Sequence, residues 1–333
     1  MATAGLISKA RAGDGEAFRE LTEPYRRELH VHCYRMLGSF HDAEDAMQDT
    51  LLSAWQGIGA FQERASIRTW LYRIATNRCL DALRSASRRP AVPWDMPAVE
   101  PPEPTRLGEV VWLEPFPDAL LDAAGSTPLG PAARYEQTEA VSLAFVAALQ
   151  SLPARQLAVL VLRDVLGYPA KEVADLLDTT VESVTSALKR ARAGLPRARD
   201  HEPPPAAGSP AEQALVAKFV RAYTSADIDA LVALLTDDIH LTMPPIPLEY
   251  HGLADVARFY AAVLRPDWTY DFVPTRANGQ PALAAYLHTP TGIRHGIGLV
   301  VLTLRGDRIS AITRFDTSVL FSFGLTLTLV ANP

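Results

Sequence analysis

Cysteine is nearly missing from these 333 residues: Cys33 and Cys79 are the only two, and neither stands in a Cys-x-x-Cys or Cys/His spacing. No disulfide framework, zinc site or other cofactor is therefore expected, and a reducing cytoplasm suits the chain. Long apolar runs are missing too. The longest, residues 319–330, contains Ser322 and Gly324 and falls short of the roughly 20 residues a membrane helix needs. It reads as a buried terminal strand, and no membrane contact is expected. Residues 1–11 hold no apolar stretch of signal-peptide length, which again favours the cytoplasm. Net positive charge is also lacking, since 32 lysines and arginines face 38 acids. That deficit would argue against a nucleic-acid partner if it were spread evenly. It is not: residues 90–133 carry seven acids and one base, which accounts for the whole net charge of -6.

What the chain does have is an acidic segment beside a basic, aromatic-bearing one. In DAEDAMQDTLLSAW, residues 42–55, Ala43, Met47, Leu51 and Trp55 recur at helical spacing, while Asp42, Glu44, Asp45, Gln48 and Asp49 crowd the first turns. Acids there suit the helix dipole, and a solvated face is the plain reading. From residue 61 to 89 seven arginines then meet two acids, with Phe61, Trp70 and Tyr72 interleaved. A basic helix carrying rings suits melted nucleic acid, with phosphates on arginine and bases on aromatic faces. Taken singly, Trp70 reads more readily as a core residue than as a stacking platform.

HCYRMLG (residues 32–38), the acidic segment and SIRTWLYRIATNRCLDALR (residues 66–84) resemble region 2 of bacterial RNA polymerase sigma factors of the extracytoplasmic-function group. The resemblance implies that Asp42, Glu44, Asp45, Gln48 and Asp49 bind core RNA polymerase. It also implies that Phe61, Arg64, Ser66, Arg68, Trp70, Arg73, Asn77 and Arg84 recognise and melt the minus-ten element of promoter DNA, holding a flipped base. Extrusion of a base costs a few kcal/mol, which the pocket has to return in stacking and edge contacts.

Ten prolines between residues 90 and 131 resist regular structure and suggest a tether. Residues 110–121, VVWLEPFPDALL, are too apolar for a spacer, and either pack on a neighbouring domain or serve as a recognition peptide. The helical pattern resumes at Tyr135, and a helix-turn-helix follows. Val173, Ala174 and Leu177 mark its first helix, and Val181, Val184, Leu188, Ala191 and Leu195 give the inward stripe of its second. Thr179 and Glu182 fit a capping box. Ser183, Thr185, Ser186, Lys189, Arg190 and Arg192 then face outward, short polar groups first and long bases behind, as in a helix that reads base edges and grips phosphates. This stretch resembles sigma region 4, the minus-thirty-five reader, except that Asp178 stands where the turn usually has glycine. Aspartate tolerates left-handed backbone, so the turn is expected to survive.

A second proline-rich linker precedes an α+β pattern: helices at residues 212–225, 227–235 and 254–264, and strands at 239–243, 282–288, 296–304 and 308–316, with Arg305-Gly306-Asp307 as a hairpin turn. AxxFVRAYTSADIDALVALLTDDIHLTMPP and GDRISAITRFDTS resemble the SnoaL-like group of the ketosteroid-isomerase-like cone fold. His240, His251, Tyr260, Trp268, His288, His295, Arg314 and Asp316 are candidate pocket residues, leaving room for a small-molecule ligand. Asp238 and Asp316 lie at strand ends, yet no spacing identifies a catalytic base.

The expected protein is therefore multidomain, with two all-α sigma domains, the second holding the helix-turn-helix, and a C-terminal α+β SnoaL-like cone. Residues 1–89 form region 2, 90–133 and 201–210 linkers, 134–200 region 4, and 211–333 the cone domain. The resemblance implies a promoter-specificity subunit, not an enzyme, with a regulatory third domain. Two rival readings stand beside it: an isomerase or cyclase fused to a DNA-binding module, which turnover by residues 211–333 alone would favour, and a helix-turn-helix repressor acting without polymerase, which has no use for the acidic helix or the melting segment.

Overall fold

The computed structural model describes residues 2–85, 93–94, 99–108, 112–122, 141–195, 202–289 and 292–330. The chain divides into two interleaved compact units: Met1–Arg88 with Leu120–Arg197, and Arg89–Ala119 with Ala198–Pro333. Arg88, Arg89, Tyr135 and the expected boundaries near residues 90, 133 and 200 lie outside the described residues.

The first unit is helical. Helices α1 (Ala2–Arg11), α2 (Gly15–Thr22), α3 (Arg26–Leu37), α4 (Phe40–Gly57) and α5 (Ile67–Ser85) enclose Leu29, Cys33, Met36, Leu71, Ala75 and Cys79, each with no exposed surface. Local chemistry sets the breaks. Gly38 ends α3 at φ 75°, a left-handed cap that favours glycine, and Ser39 starts α4 by accepting from the Asp42 N–H. Helices α6 (Leu143–Gln150), α7 (Ala154–Leu160), α8 (Ala170–Leu176) and α9 (Val181–Gly194) follow, with a π-helical turn, Val161–Val165, after α7.

The turn before α9 survives without glycine because Asp178 takes φ 47° and the Thr179 N–H reaches Ala174 O at 2.9 Å. This shifts the cap by one residue from the expected box. Thr180, not Thr179, accepts from the Ser183 N–H at 3.2 Å. Val181 is accordingly outside the inward stripe and 40% exposed, whereas Val184, Leu188 and Ala191 are buried.

The second unit is a curved sheet under three helices. Strands β1 (Arg106–Leu107), β2 (Leu235–Met243), β3 (Ile246–His251), β4 (Tyr270–Ala277), β5 (Gln280–His288), β6 (Ile293–Arg305) and β7 (Arg308–Phe315) lie in the order β1-β3-β2-β7-β6-β5-β4, and β8 (Thr328–Val330) pairs with β6. All pairings are antiparallel except β2 with β7. Helices α10 (Pro210–Thr224), α11 (Ile228–Val232) and α12 (Leu253–Val263) cover one face, burying Phe219, Ile239, Leu241, Tyr250, Val256, Phe259 and Leu302. Strands β3 and β4 are additions to the sequence reading. Residues 319–330 are not one strand: a 3-10 helix, Thr317–Phe323, buries Val319 and Leu320 but leaves Phe321 65% exposed before β8.

The described residues of the expected tether up to Ala119 are part of this sheet unit. Val99, Leu113 and Phe116 are buried, β1 extends the sheet beyond β3, and the Tyr250 hydroxyl donates to Pro102 O at 2.6 Å. Phe116 exchanges two hydrogen bonds with buried Asn278, its N–H to Oδ1 at 2.8 Å and its carbonyl from the Asn278 N–H at 2.9 Å. Asp118 meets Arg276, which also holds buried Glu212 of α10 at 2.7 Å. The apolar residues inside the proline-rich composition explain the correction, because they bury as a strap what a spacer would expose.

Candidate nucleic-acid interface

Helix α4 has two faces. Ala43, Ala46, Met47, Thr50 and Ala54 are buried, while Asp45, Gln48 and Asp49 are exposed in a row that ends on Leu52, itself 55% exposed. These four sit at helical spacings i, i+3, i+4 and i+7 and form one stripe. Asp42 and Glu44 are half-buried at its margin.

Between the end of α4 and α5 lies an open groove of ≈ 480 Å³ lined by Ser53, Gly57, Ala60, Trp70, Ile74, Asn77, Arg78 and Asp81. It brings together Trp70 and Asn77 from the expected set and adds Arg78, whose guanidinium donates to Ser53 Oγ at 2.7 Å. Arg78 and Ser53 line the groove without having been expected there; the i+8 spacing of Arg78 from Trp70 was the available signal.

The other expected residues divide by what they touch. Phe61 is buried and tilted against Trp70 at 4.8 Å between centroids, so it supports that ring and offers no free face. Tyr72 is wholly buried. Ser66 caps α5 by accepting from the Thr69 N–H at 3.0 Å. Arg68 makes a two-pronged pair with Glu28, Nε to Oε1 at 2.8 Å and Nη2 to Oε2 at 2.9 Å, and lies over the Tyr72 and Tyr168 rings. The Glu28 hydrogen bonds raise its pKa further, and the side chain is committed to the fold. Arg73 pairs with Asp178 at 2.9 Å, but both are exposed, and such pairs are worth only about 0–1 kcal/mol. Arg64 is exposed beside Glu63, which takes φ 57°, and Arg84 pairs with Asp81 at 2.7 Å.

On α9, Ser183, Thr185, Ser186, Lys189, Arg190 and Arg192 are all exposed. Arg192 also pairs with Asp164, through bonds of 2.8 and 2.7 Å, an exposed contact of the same modest kind as Arg73–Asp178.

The residues proposed to line a cone pocket do not gather in one place: Tyr260 belongs to the core and Trp268 packs against it, while His240 and His251 stack on each other outside it. Tyr260 lies in the core, 5.9 Å from the ring of Tyr223, which also meets Tyr270 and Phe272 edge-on, and burial raises the Tyr223 hydroxyl to about 12. Arg314 lies against Trp94 of the strap. His240 and His251 are on the opposite face of their strands, since Ile239, Leu241 and Tyr250 alternate with them into the core. His288 pairs with Asp271 at 2.9 Å, Asp316 caps the 3-10 helix, and Asp238 pairs with Arg305.

Comparison with known proteins follows this division. The Sigma-70 region 2 family matches residues 21–89, Sigma-70 region 4 matches 142–195, and the SnoaL-like domain matches 216–315. The ECF RNA polymerase sigma factor SigG of Mycobacterium tuberculosis is 43% identical over 325 residues, spanning 95% of this chain and 85% of SigG. SigM of the same organism is 33% identical over 194 residues, 58% of this chain and 83% of its own. The crystal structure of the Mycobacterium tuberculosis sigma factor SigJ shares the fold, with a TM-score of 0.55 at 22% identity over 91% of this chain and 97% of that one.

Proposed function

We propose, from the premise that this chain belongs to the ECF RNA polymerase sigma factors, a division of that work among its surfaces. As a member it directs core polymerase to promoters and starts transcription, and its chemistry is binding, not turnover. The stripe Asp45, Gln48, Asp49 and Leu52 docks on core polymerase in the cytoplasm. The groove along α5 takes an unstacked base of the melted strand, with Trp70 as the stacking wall and Asn77 and Arg78 at the base edge and phosphate. Ser183, Thr185 and Ser186 read the upstream element while Lys189 and Arg190 hold its backbone.

The observation that carries this reading is the groove, where a half-exposed tryptophan, an amide and an arginine line one open volume. Base–aromatic stacking is worth about 1–3 kcal/mol, so Trp70→Ala is expected to lower promoter opening by roughly 5- to 150-fold. The test is reconstitution with core polymerase, with strand opening followed by a fluorescent base at the minus-ten position. Opening unchanged by Trp70→Ala and Asn77→Ala, with core binding intact, would remove the groove from the mechanism.

The SnoaL-like domain regulates the other two through the strap. Residues 99–119 join region 2 to region 4 in sequence and are anchored on the sheet through Phe116–Asn278, Asp118–Arg276 and Tyr250–Pro102. Whatever seats or unseats the strap changes the length of chain that lets the two readers separate.

A further inference from the structure

We propose that His240, Glu249 and His251 form a site for one divalent transition-metal ion of the zinc class, and that the ion competes with Arg106 for the Glu249 carboxylate. Strand register brings the three together. His240 and His251 are direct partners across the β2–β3 pair, and Glu249 lies two residues before His251 on the same face. The imidazoles stack at 3.9 Å with 29° between their planes, so both Nε2 atoms meet one carboxylate oxygen, at 3.5 Å from His240 and 3.2 Å from His251. The three ligating atoms fall within 4.8 Å of one another. A tetrahedral ion with bonds of about 2.0–2.2 Å holds its ligand atoms roughly 3.3–3.6 Å apart, so the separations are already close, and the stacked rings have only to turn to aim their in-plane lone pairs at one ion.

A further observation points to a ligand. His240 Nε2 is buried and makes no hydrogen bond of ordinary geometry among the described residues, an omission that is costly unless a ligand fills it. Two histidines and one carboxylate leave a fourth position open, the pattern of a site that takes water or a further group.

Arg106 occupies the carboxylate instead, its Nε 2.5 Å from Glu249 Oε2, while the neighbouring Thr105 N–H donates to Glu249 O at 2.9 Å. A doubly charged ion on that oxygen displaces a singly charged guanidinium that is itself 63% exposed. Metal occupancy and the side-chain anchor of β1 are thus linked with opposite sign.

The test uses the untagged full-length chain, stripped with chelator and titrated with Zn²⁺ by calorimetry and with Co²⁺ by visible absorption. One ion per chain is expected. His240→Ala and His251→Ala should each weaken binding at least tenfold, and Glu249→Gln should do so while keeping the side-chain shape. His288→Ala, at the other histidine–carboxylate pair, should leave it unchanged. Arg106→Ala should tighten it several-fold. Absence of saturable one-to-one binding, or affinity that survives both histidine substitutions, overturns the site; an Arg106→Ala affinity equal to that of the parent chain overturns the competition.

Discussion

His32 has no exposed surface, and its Nε2 lies 2.9 Å from the Thr76 hydroxyl between α3 and α5. Burial, then the charges of Arg35 and Arg68, lower its pKa to about 3. The unfolded chain, titrating near 6.5, takes up a proton below that pH which the folded chain refuses. Stability from this group is therefore complete above about pH 6.5 and falls by about 1.4 kcal/mol per pH unit down to its folded value. Hydrogen exchange of α3 and α5 at pH 7 and pH 5 should show that loss, and His32→Gln should flatten it; equal slopes for the two proteins would refute the assignment. At this scale the sequence was only half legible. Counting rings and arginines found Trp70 and Arg73, but Tyr72 and Arg68 are the same residue types one helical face away, and only packing shows that Glu28 claims Arg68.

At the scale of elements, α4 and α9 carry separable predictions. Asp45→Lys with Asp49→Lys is expected to abolish core-polymerase binding in moderate salt while leaving the circular dichroism of the chain unchanged, because both side chains are exposed. Retained binding would return the stripe to a solvated face. On α9, Lys189→Ala and Arg190→Ala should each reduce the salt slope of promoter binding by about one, whereas Ser183 and Ser186 substitutions alter sequence preference. Altered preference for Lys189→Ala at an unchanged slope would reverse the roles. Amphipathic helices were legible because a 3.6-residue period survives in the sequence. Strands β3 and β4 were not, for an identifiable reason: Pro245 and Pro247 flank and enter β3, and Pro274 lies inside β4. Proline argues against a central strand, and β4 tolerates it as the terminal strand of the sheet order.

At the scale of the molecule, the two units are interleaved in sequence, so cutting the chain between region 4 and the cone does not separate them. A chain ended at residue 200 keeps Val99, Leu113 and Phe116 but loses the sheet that buries them. It is expected to bind a hydrophobic dye and to self-associate, which light scattering would reveal; a monodisperse, dye-silent truncation would contradict the strap. A cleaner probe is Phe116→Ala in the full chain, expected to lower the stability of the sheet unit by about 3–5 kcal/mol as a buried aromatic truncation. If regulation runs through the strap, promoter activity changes with it. Activity identical to the parent, at a measurably reduced stability, would exclude that route. Domain order was readable from the motifs, and the strap only in part: the apolar residues 110–121 pointed to packing on a neighbouring domain, while the prolines of residues 90–131 pointed to a tether.

The interleaving has a consequence for a chain still on the ribosome. The helical unit needs nothing beyond Arg197, so regions 2 and 4 can close as soon as that length has emerged, while the strap waits for strands formed by residues 235–315. At about 5–20 residues per second, the interval is roughly ten seconds. Every newly made copy therefore passes through a period in which its promoter readers are complete and Leu113 and Phe116 have no sheet to bury them, and any pause in translating the second half lengthens it.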